Sequence, residues 1–217
     1  MAATIPNCKA YDPAFAGEMA VIVDAGIREM MVEQKDVFYY VTLMNENYAQ
    51  PSLPPEAHGD VLRGCYRFGR YGAADAPAQV TLMGSGAILT EVVKAAQILA
   101  KAGIDAEVFS VTSWSELARD GGACEARALG GDAAPGVPFV AQQLAGGSGP
   151  VIAATDYVRA LPESIRAFLP QGRRYLTLGT DGFGRSDTRA ALRQFFGVDA
   201  QSIVRAARHV LAAAHPN

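Results

Sequence analysis

The sequence predicts an α/β protein, a three-layer αβα arrangement around a mostly parallel sheet of about five strands, preceded by a helix and a strand from the end of a neighbouring α/β domain. Three observations predict it. Short apolar stretches without a polar face alternate with segments of helical period, as in a parallel sheet covered on both sides. Half of the 217 residues are hydrophobic, enough for a sizeable core. The stretch "AQPSLPPEA", with three prolines in five residues, forbids a continued helix or sheet and sets the first helix and strand apart from everything after them.

The elements follow in order. "MAATIPNC" reads as a strand-like piece, so the chain is expected to open inside a domain. From Pro13 to Gln34, Phe15, Met19, Ile22, Val23, Ile27, Met30 and Met31 recur at helical spacing, with Tyr11-Asp12 as entry and cap. "DVFYYVTLMNENY" is β-branched and aromatic, then polar, as a largely buried strand feeding a loop. One helix and one strand cannot make an independent domain, so residues 1–50 are expected to depend on a neighbour and to be the less stable part. Residues 51–55 form the connector and 56–217 the main domain. There, "AQVTLMGSG" is a strand, "AILTEVVKAAQILAKAG" a helix stopped by Gly103, and "DAEVFSVTS" a strand. A helix from Trp114 to Arg127, a glycine-rich loop, the strand "PVIAATD", the helix "YVRALPESIRAFL" and the strand "RRYLTLG" follow. Helices at Thr188–Phe196 and Asp199–Ala214 close the chain.

Composition excludes several functions. Nineteen Lys+Arg against 22 Asp+Glu give a net charge of −3, and without a dense basic block neither nucleic acid nor a membrane surface is an expected partner. Cys8, Cys65 and Cys124 are odd in number, widely spaced and outside any C-x-x-C pair, the usage of a reducing compartment with buried or incidental thiols. No apolar stretch approaches the roughly 20 residues of a membrane span, and the start lacks signal-peptide order. The expected location is cytoplasmic.

Each motif has a plain reading beside a functional one. "MGSGAIL" puts two glycines and a serine before a helix, where N–H groups hold anions, but Leu89 stands where G-x-G-x-x-G needs its third glycine, so a tight turn is the simpler account. His58, His209 and His215 show no metal spacing and read as surface residues. No G-x-S-x-G elbow or phosphate-binding P-loop is present. In "TSWSELARDG" a capping box between Ser113 and Glu116 explains both residues. Asn45, Glu46 and Asn47 lie where a parallel strand ends, the edge at which open sheets bind ligands. They can reach a substrate or a neighbouring domain, or simply terminate the strand. In "LTLGTDGFGRSDTRAALRQFF", Gly179, Gly182 and Gly184 permit positive φ, and Ser186 or Asp187 can cap the next helix. That leaves Asp181, Phe183 and Arg185 as candidates for an interdomain latch or channel wall, with Asp181 and Asp187 flanking Arg185 and one of them holding its guanidinium while it still offers donors to a neighbouring domain. No catalytic, cofactor-binding or metal-binding residue is assigned within the chain.

Together "TLMNENY", "LMGSGAIL", "VFSVTSWSELARDG", "ATDYVRAL" and "LGTDGFGRSDTR" resemble the C-terminal part of the homodimeric bacterial pyruvate dehydrogenases, members of the transketolase-like superfamily, from about Ile5 to the terminus. The resemblance implies a thiamine diphosphate and magnesium enzyme that decarboxylates pyruvate and passes the acetyl group to the lipoyl group of dihydrolipoyl acetyltransferase. It implies that residues 1–50 are the tail of the pyrimidine-binding middle domain and 56–217 a transketolase-like C-terminal domain. The family's G-D-G…N-N diphosphate-magnesium motif is absent: "GGDAAPG" has no glycine after its aspartate, and no N-N pair exists. The chain by itself is therefore expected to bind no cofactor and to serve as an inactive structural or dimerisation domain. The alternatives are a non-catalytic subunit-association module, or the C-terminal domain of a transketolase or related synthase.

Overall fold

Apolar strands and amphipathic helices sort into two sheets in the computed structural model, which describes residues 2–213. After a 3-10 turn at Ala2–Thr4, strand β1 (Cys8–Tyr11) pairs in parallel with β2 (Phe38–Val41), and helix α1 (Ala16–Ile27) connects them. This βαβ unit corrects three expectations. The strand near the start lies at 8–11, later than "MAATIPNC" suggested. The helix over 13–34 is α-helical only to Ile27 and winds on as a wider π turn at Arg28–Val32. β2 is four residues long and far from buried, with Phe38 42% and Tyr40 52% exposed, because only the face carrying Tyr39 and Val41 is packed. Residues 42–54 carry no regular structure and fold back on α1: Gln50 Oε1 accepts from Ala16 N at 2.8 Å and Tyr48 Oη donates to Ala14 O at 2.5 Å.

The main sheet has five strands in the order β3-β5-β4-β6-β7, namely β3 (Cys65–Tyr71), β4 (Ala78–Gly84), β5 (Ile104–Val111), β6 (Val151–Ala154) and β7 (Tyr175–Leu178). All neighbours are parallel except β3, which runs antiparallel to β5 with a bulge between Arg67 and Gly69. On one face, α3 (Ile88–Lys101) and α8 (Ala200–Ala212) pack Val92, Ala96, Leu99, Ile203 and Ala207 against Leu82, Val108 and Ile152. On the other, α4 (Trp114–Leu129) and α5 (Phe139–Leu144) pack Leu117, Phe139 and Leu144 against Met83, Phe109 and Ala153. Each fully buried aliphatic of this kind contributes about 1.5–3 kcal/mol. The α/β three-layer expectation therefore holds.

Three elements were not anticipated: α2 (His58–Arg63), β3 and α5. Gly64 ends α2 at φ +112°, and a Cβ there would lie 2.6 Å from Ser113 O, so only glycine fits. The single helix expected over 157–169 is instead a short α6 (Ala160–Glu163) and a 3-10 turn at Arg166–Phe168. Pro162 has no N–H for the Val158 carbonyl, so the helix cannot begin earlier with full bonding. The remaining helix is α7 (Arg189–Phe196).

The three cysteines are buried free thiols, and burial pushes the Cys65 thiol up. His58 and His209 are exposed as expected, and His215 lies outside the described residues. Among the described residues no helix is long and apolar enough to cross a membrane.

Candidate functional site

The carboxyl ends of β4, β5 and β6 bring Ser85, Thr112 and Thr155 to one edge of the sheet, with β1 and β2 leaning over it. The edge is stitched by buried hydroxyls: Ser85 Oγ and Thr155 Oγ1 lie 3.0 Å apart, and Thr112 Oγ1 donates to Val61 O at 2.6 Å. Ser85 also faces the Asp12 carboxyl, and no histidine stands behind either hydroxyl of the Ser85–Thr155 pair in those contacts.

Asp12 is the link between the βαβ unit and this edge. It does not cap α1, whose N-cap is Phe15, with Glu18 accepting from Phe15 N at 3.0 Å. Its backbone instead bridges Thr112 O (2.8 Å) and Gly86 N (3.0 Å). Its carboxylate lies against the glycine turn that begins α3, where a Cβ on Gly86 would meet Asp12 Oδ1 at 2.6 Å. The "GSG" turn is thus filled from within by a carboxylate. Burial pushes the Asp12 carboxyl up to about 6, against the hydrogen bond of 2.8 Å that Thr42 Oγ1 donates to Oδ1.

Two hollows flank Asp12 and β6. The first, about 330 Å³, lies between the βαβ unit and the main sheet and is lined by Tyr11, Asp12, Tyr40, Thr42, Trp114 and Tyr157 among others. The second, about 230 Å³, lies between Met44, Asp156, Thr180 and the α7 side, with Arg185, Arg189 and Arg193 on its wall. Burial raises the Asp156 carboxyl at its floor, against the nearby Arg193 charge.

The residues singled out from sequence are placed as follows. Glu46 pairs with the Arg193 guanidinium, 3.1 Å from Nη1 and in closer contact with Nη2, while Arg189 Nε stands 3.9 Å away. Arg193, only 8% exposed, also reaches Glu91 Oε1 at 3.4 Å, and Glu91 Oε2 accepts from Ala200 N at 3.1 Å. This chain of charges ties the 42–54 segment to α7, α3 and α8. Asn45 contributes only its carbonyl, to Arg189, and its side chain is exposed, as is that of Asn47. Asp181 and Asp187 do not hold Arg185. Asp181 accepts from Arg159 N (2.9 Å) and Nε (2.6 Å), which keeps its carboxyl below the usual range. Asp187 accepts from Thr188 N at 2.6 Å, and Arg185 lies over the Phe195 ring at 4.9 Å.

The loop chemistry also differs from expectation. Of the three glycines only Gly182 has positive φ; Gly179 is needed because a Cβ would meet Tyr157 O at 2.5 Å. The cap of α7 is Thr188, whose Oγ1 accepts from Ala191 N, rather than Ser186 or Asp187. At α4 only half of the capping box forms: Ser113 Oγ accepts from Glu116 N at 3.1 Å, while the Glu116 carboxylate pairs with Arg119.

A family model described as the transketolase-like TK C-terminal domain matches residues 64–199. The chain belongs to that family. The pyruvate dehydrogenase E1 component middle domain matches residues 1–51. The pyruvate dehydrogenase E1 components of Cupriavidus necator and Pseudomonas aeruginosa are each 48% identical, over 97% and 98% of this chain. That of Escherichia coli K12 is 45% identical over 96%. The sequence is thus that of the C-terminal region of a bacterial pyruvate dehydrogenase E1 component, and it spans 24% of the length of the first two relatives. Among solved structures, transketolase of Pichia stipitis with sedoheptulose-7-phosphate aligns at TM-score 0.61 and 15% identity, over 97% of this chain and 26% of that one. A split-gene transketolase described as an inactive β4 tetramer aligns at 0.58 and 16%, over 97% and 59%. These two likenesses show the fold.

The cofactor set implied by the resemblance does not fit the residues present. The Asp12 carboxylate fills the α3 N-terminus, where a diphosphate would need open N–H groups. Among the described residues no group of three His, Cys, Asp or Glu is arranged to hold a metal ion. Sequence reading missed the cavity around Asp12 and Trp114, because its walls come from positions about 100 residues apart, joined only by the fold.

Proposed function

We propose that this chain is the C-terminal part of a cytoplasmic, homodimeric, thiamine diphosphate- and magnesium-dependent pyruvate dehydrogenase. The whole enzyme decarboxylates pyruvate and passes the acetyl unit to the lipoyl group of dihydrolipoyl acetyltransferase. The observation that carries this reading is identity of nearly half along almost the whole chain to proteins named pyruvate dehydrogenase E1 component. In that enzyme residues 1–50 are the tail of the pyrimidine-binding middle domain, 51–55 the connector and 56–217 the C-terminal domain. The chain's own residues orient and support; they do not perform the chemistry. Glu46 joins the 42–54 segment to α7 through Arg193, and Asp12 anchors the βαβ unit on the Gly86 turn. Asn45, Asn47, Asp181, Arg185 and Asp187 stand at the rim, where an adjoining domain or channel meets this one.

The test is pyruvate-dependent reduction of ferricyanide with thiamine diphosphate and magnesium. The full-length protein is expected to turn over, whereas the 217-residue chain and a full-length protein lacking it are not. Turnover of xylulose 5-phosphate by the full-length protein, without turnover of pyruvate, would overturn the assignment in favour of a transketolase.

A further inference from the structure

Two carboxyl groups hold the βαβ unit to the main sheet, and they differ in kind. Around Glu18 stand four donors, the Ala14 and Phe15 N–H groups, Tyr66 Oη and Ser110 Oγ. At Asp12, Oδ1 accepts from Thr42 Oγ1 at 2.8 Å, while Oδ2 is buried with no hydrogen-bond partner among the described residues. Yet Asp12 carries docking contacts of its own. Its N–H donates to Thr112 O at 2.8 Å, its carbonyl accepts from Gly86 N at 3.0 Å, and its carboxyl group lies against the Gly86 turn.

The surroundings favour the neutral carboxyl. The charged groups that act on it are Glu18 of α1 and Asp156 beyond β6, both acidic, and Thr42 and Ser85 face it with hydroxyls only. Its other titratable neighbours are the Tyr48 and Tyr157 phenols, both raised by burial and so uncharged near neutrality. No lysine, arginine or histidine pairs with it among the described residues. The N-terminus of α3 offers a partial positive charge, which offsets only part of the cost of an uncompensated buried ion. Ionised, Asp12 is a charge without a counter-ion; protonated, it rests on the turn without that cost.

We propose that Asp12 is a proton-operated latch: protonated, it closes the βαβ unit on the α3 turn, and when its proton passes to water the seam parts at that end while the Glu18 end holds as the hinge. The two sides of the seam are the regions matched by the two family models, residues 1–51 and 64–199, so the latch sets how one domain sits on the other.

Amide hydrogen exchange of the 217-residue chain, read residue by residue and corrected for intrinsic rates, tests the latch. The Asp12 and Gly86 amides bridge the seam, and those of 151–154, in the fully buried β6, report global unfolding. With the carboxyl at 3.8 when released and about 6 when closed, opening rises tenfold per pH unit between those values and levels off above them. Between pH 4 and pH 7 the opening constant at Asp12 and Gly86 is therefore expected to rise about a hundredfold, and at pH 7 to exceed that of 151–154 at least tenfold. Asp12→Asn should hold both amides at pH 7 as they are in the wild type at pH 4, within about threefold. Thr42→Val removes a donor that favours the ionised form and should increase opening at pH 7 at least threefold more than at pH 4. If Asp12→Asn does not fold, Thr42→Val decides. A pH-independent opening constant, the same rise in Asp12→Asn, equal effects of Thr42→Val at both pH values, or seam amides that open only with 151–154 overturns the proposal.

Discussion

Glu18 lies at the seam between the βαβ unit and the main sheet at 0% exposure, with four donors around its carboxylate. Ala14 N (2.6 Å) and Phe15 N (3.0 Å) donate to Oε2, and Tyr66 Oη (2.8 Å) and Ser110 Oγ (2.6 Å) to Oε1. A carboxylate accepts about four bonds, so the site is complete without a cation. Glu18→Ala strands all four donors and leaves a void; loss of about 3 kcal/mol or more in urea denaturation is expected. Glu18→Gln, which points an amide N–H at donors, is expected to cost about 2 kcal/mol. Asp12, by contrast, keeps one carboxylate oxygen unpaired among the described residues. Its folded carboxyl is raised from 3.8 to about 6, so the unfolded chain gives up this proton first, and stability falls as pH rises from about 4 to about 6. The loss is at most about 3 kcal/mol, at about 1.4 kcal/mol per tenfold. Asp12→Asn should flatten that part of the pH–Tm curve and melt higher than wild type at pH 8. Asp12 resembled a helix cap in sequence because Asp before a helix usually is one; the Gly86 turn that claims it is 74 residues away.

At the scale of elements, β4, β5, β6 and β7 were legible because each holds a short apolar or β-branched stretch lying between segments of helical period. β3 was not, since "CYRFGRY" carries two arginines whose partners are on the neighbouring strand: Arg67 on Glu107 at 2.6 Å and Arg70 on Asp105 at 2.6 Å. No local pattern announces a cross-strand pair. α5 hid in a stretch rich in glycine and proline, its first N–H satisfied by the distant Asp120 at 2.5 Å. The rim candidates were legible as polar residues at a strand end, but their partners were not, because those are set by how α7 is laid across the edge. The placement separates two arginines of that helix region. Arg193→Ala takes the guanidinium from the partly buried Glu46 and from Glu91, which keeps Lys94 at 2.7 Å, and should cost about 2 kcal/mol by thermal unfolding. Arg185→Ala removes a guanidinium lying over the Phe195 ring and should change stability by no more than about 0.5 kcal/mol. If Arg185 meets an adjoining domain in the whole enzyme, the same change should reduce dimer affinity or activity there while leaving this chain's melting unaltered.

Across the whole molecule, protection should be uneven. β6 is buried along its length between β4 and β7, whereas β2 has one partner and alternates between exposed and half-buried positions. In hydrogen exchange, amides 38–41 are expected to open well before 151–154, and equal protection in a monomeric sample would contradict a dependent first segment. The bare strand edge also invites pairing with a second copy, visible as concentration-dependent sedimentation. The burial of all three thiols gives this unevenness a chemical clock. Cys8 sits in β1, Cys65 in the antiparallel edge strand and Cys124 in α4, each shut off from solvent in the folded state. A thiol reagent can reach each only when its own element lets go, so the order in which the three are trapped records the order in which the small sheet, the sheet edge and the covering helix part company.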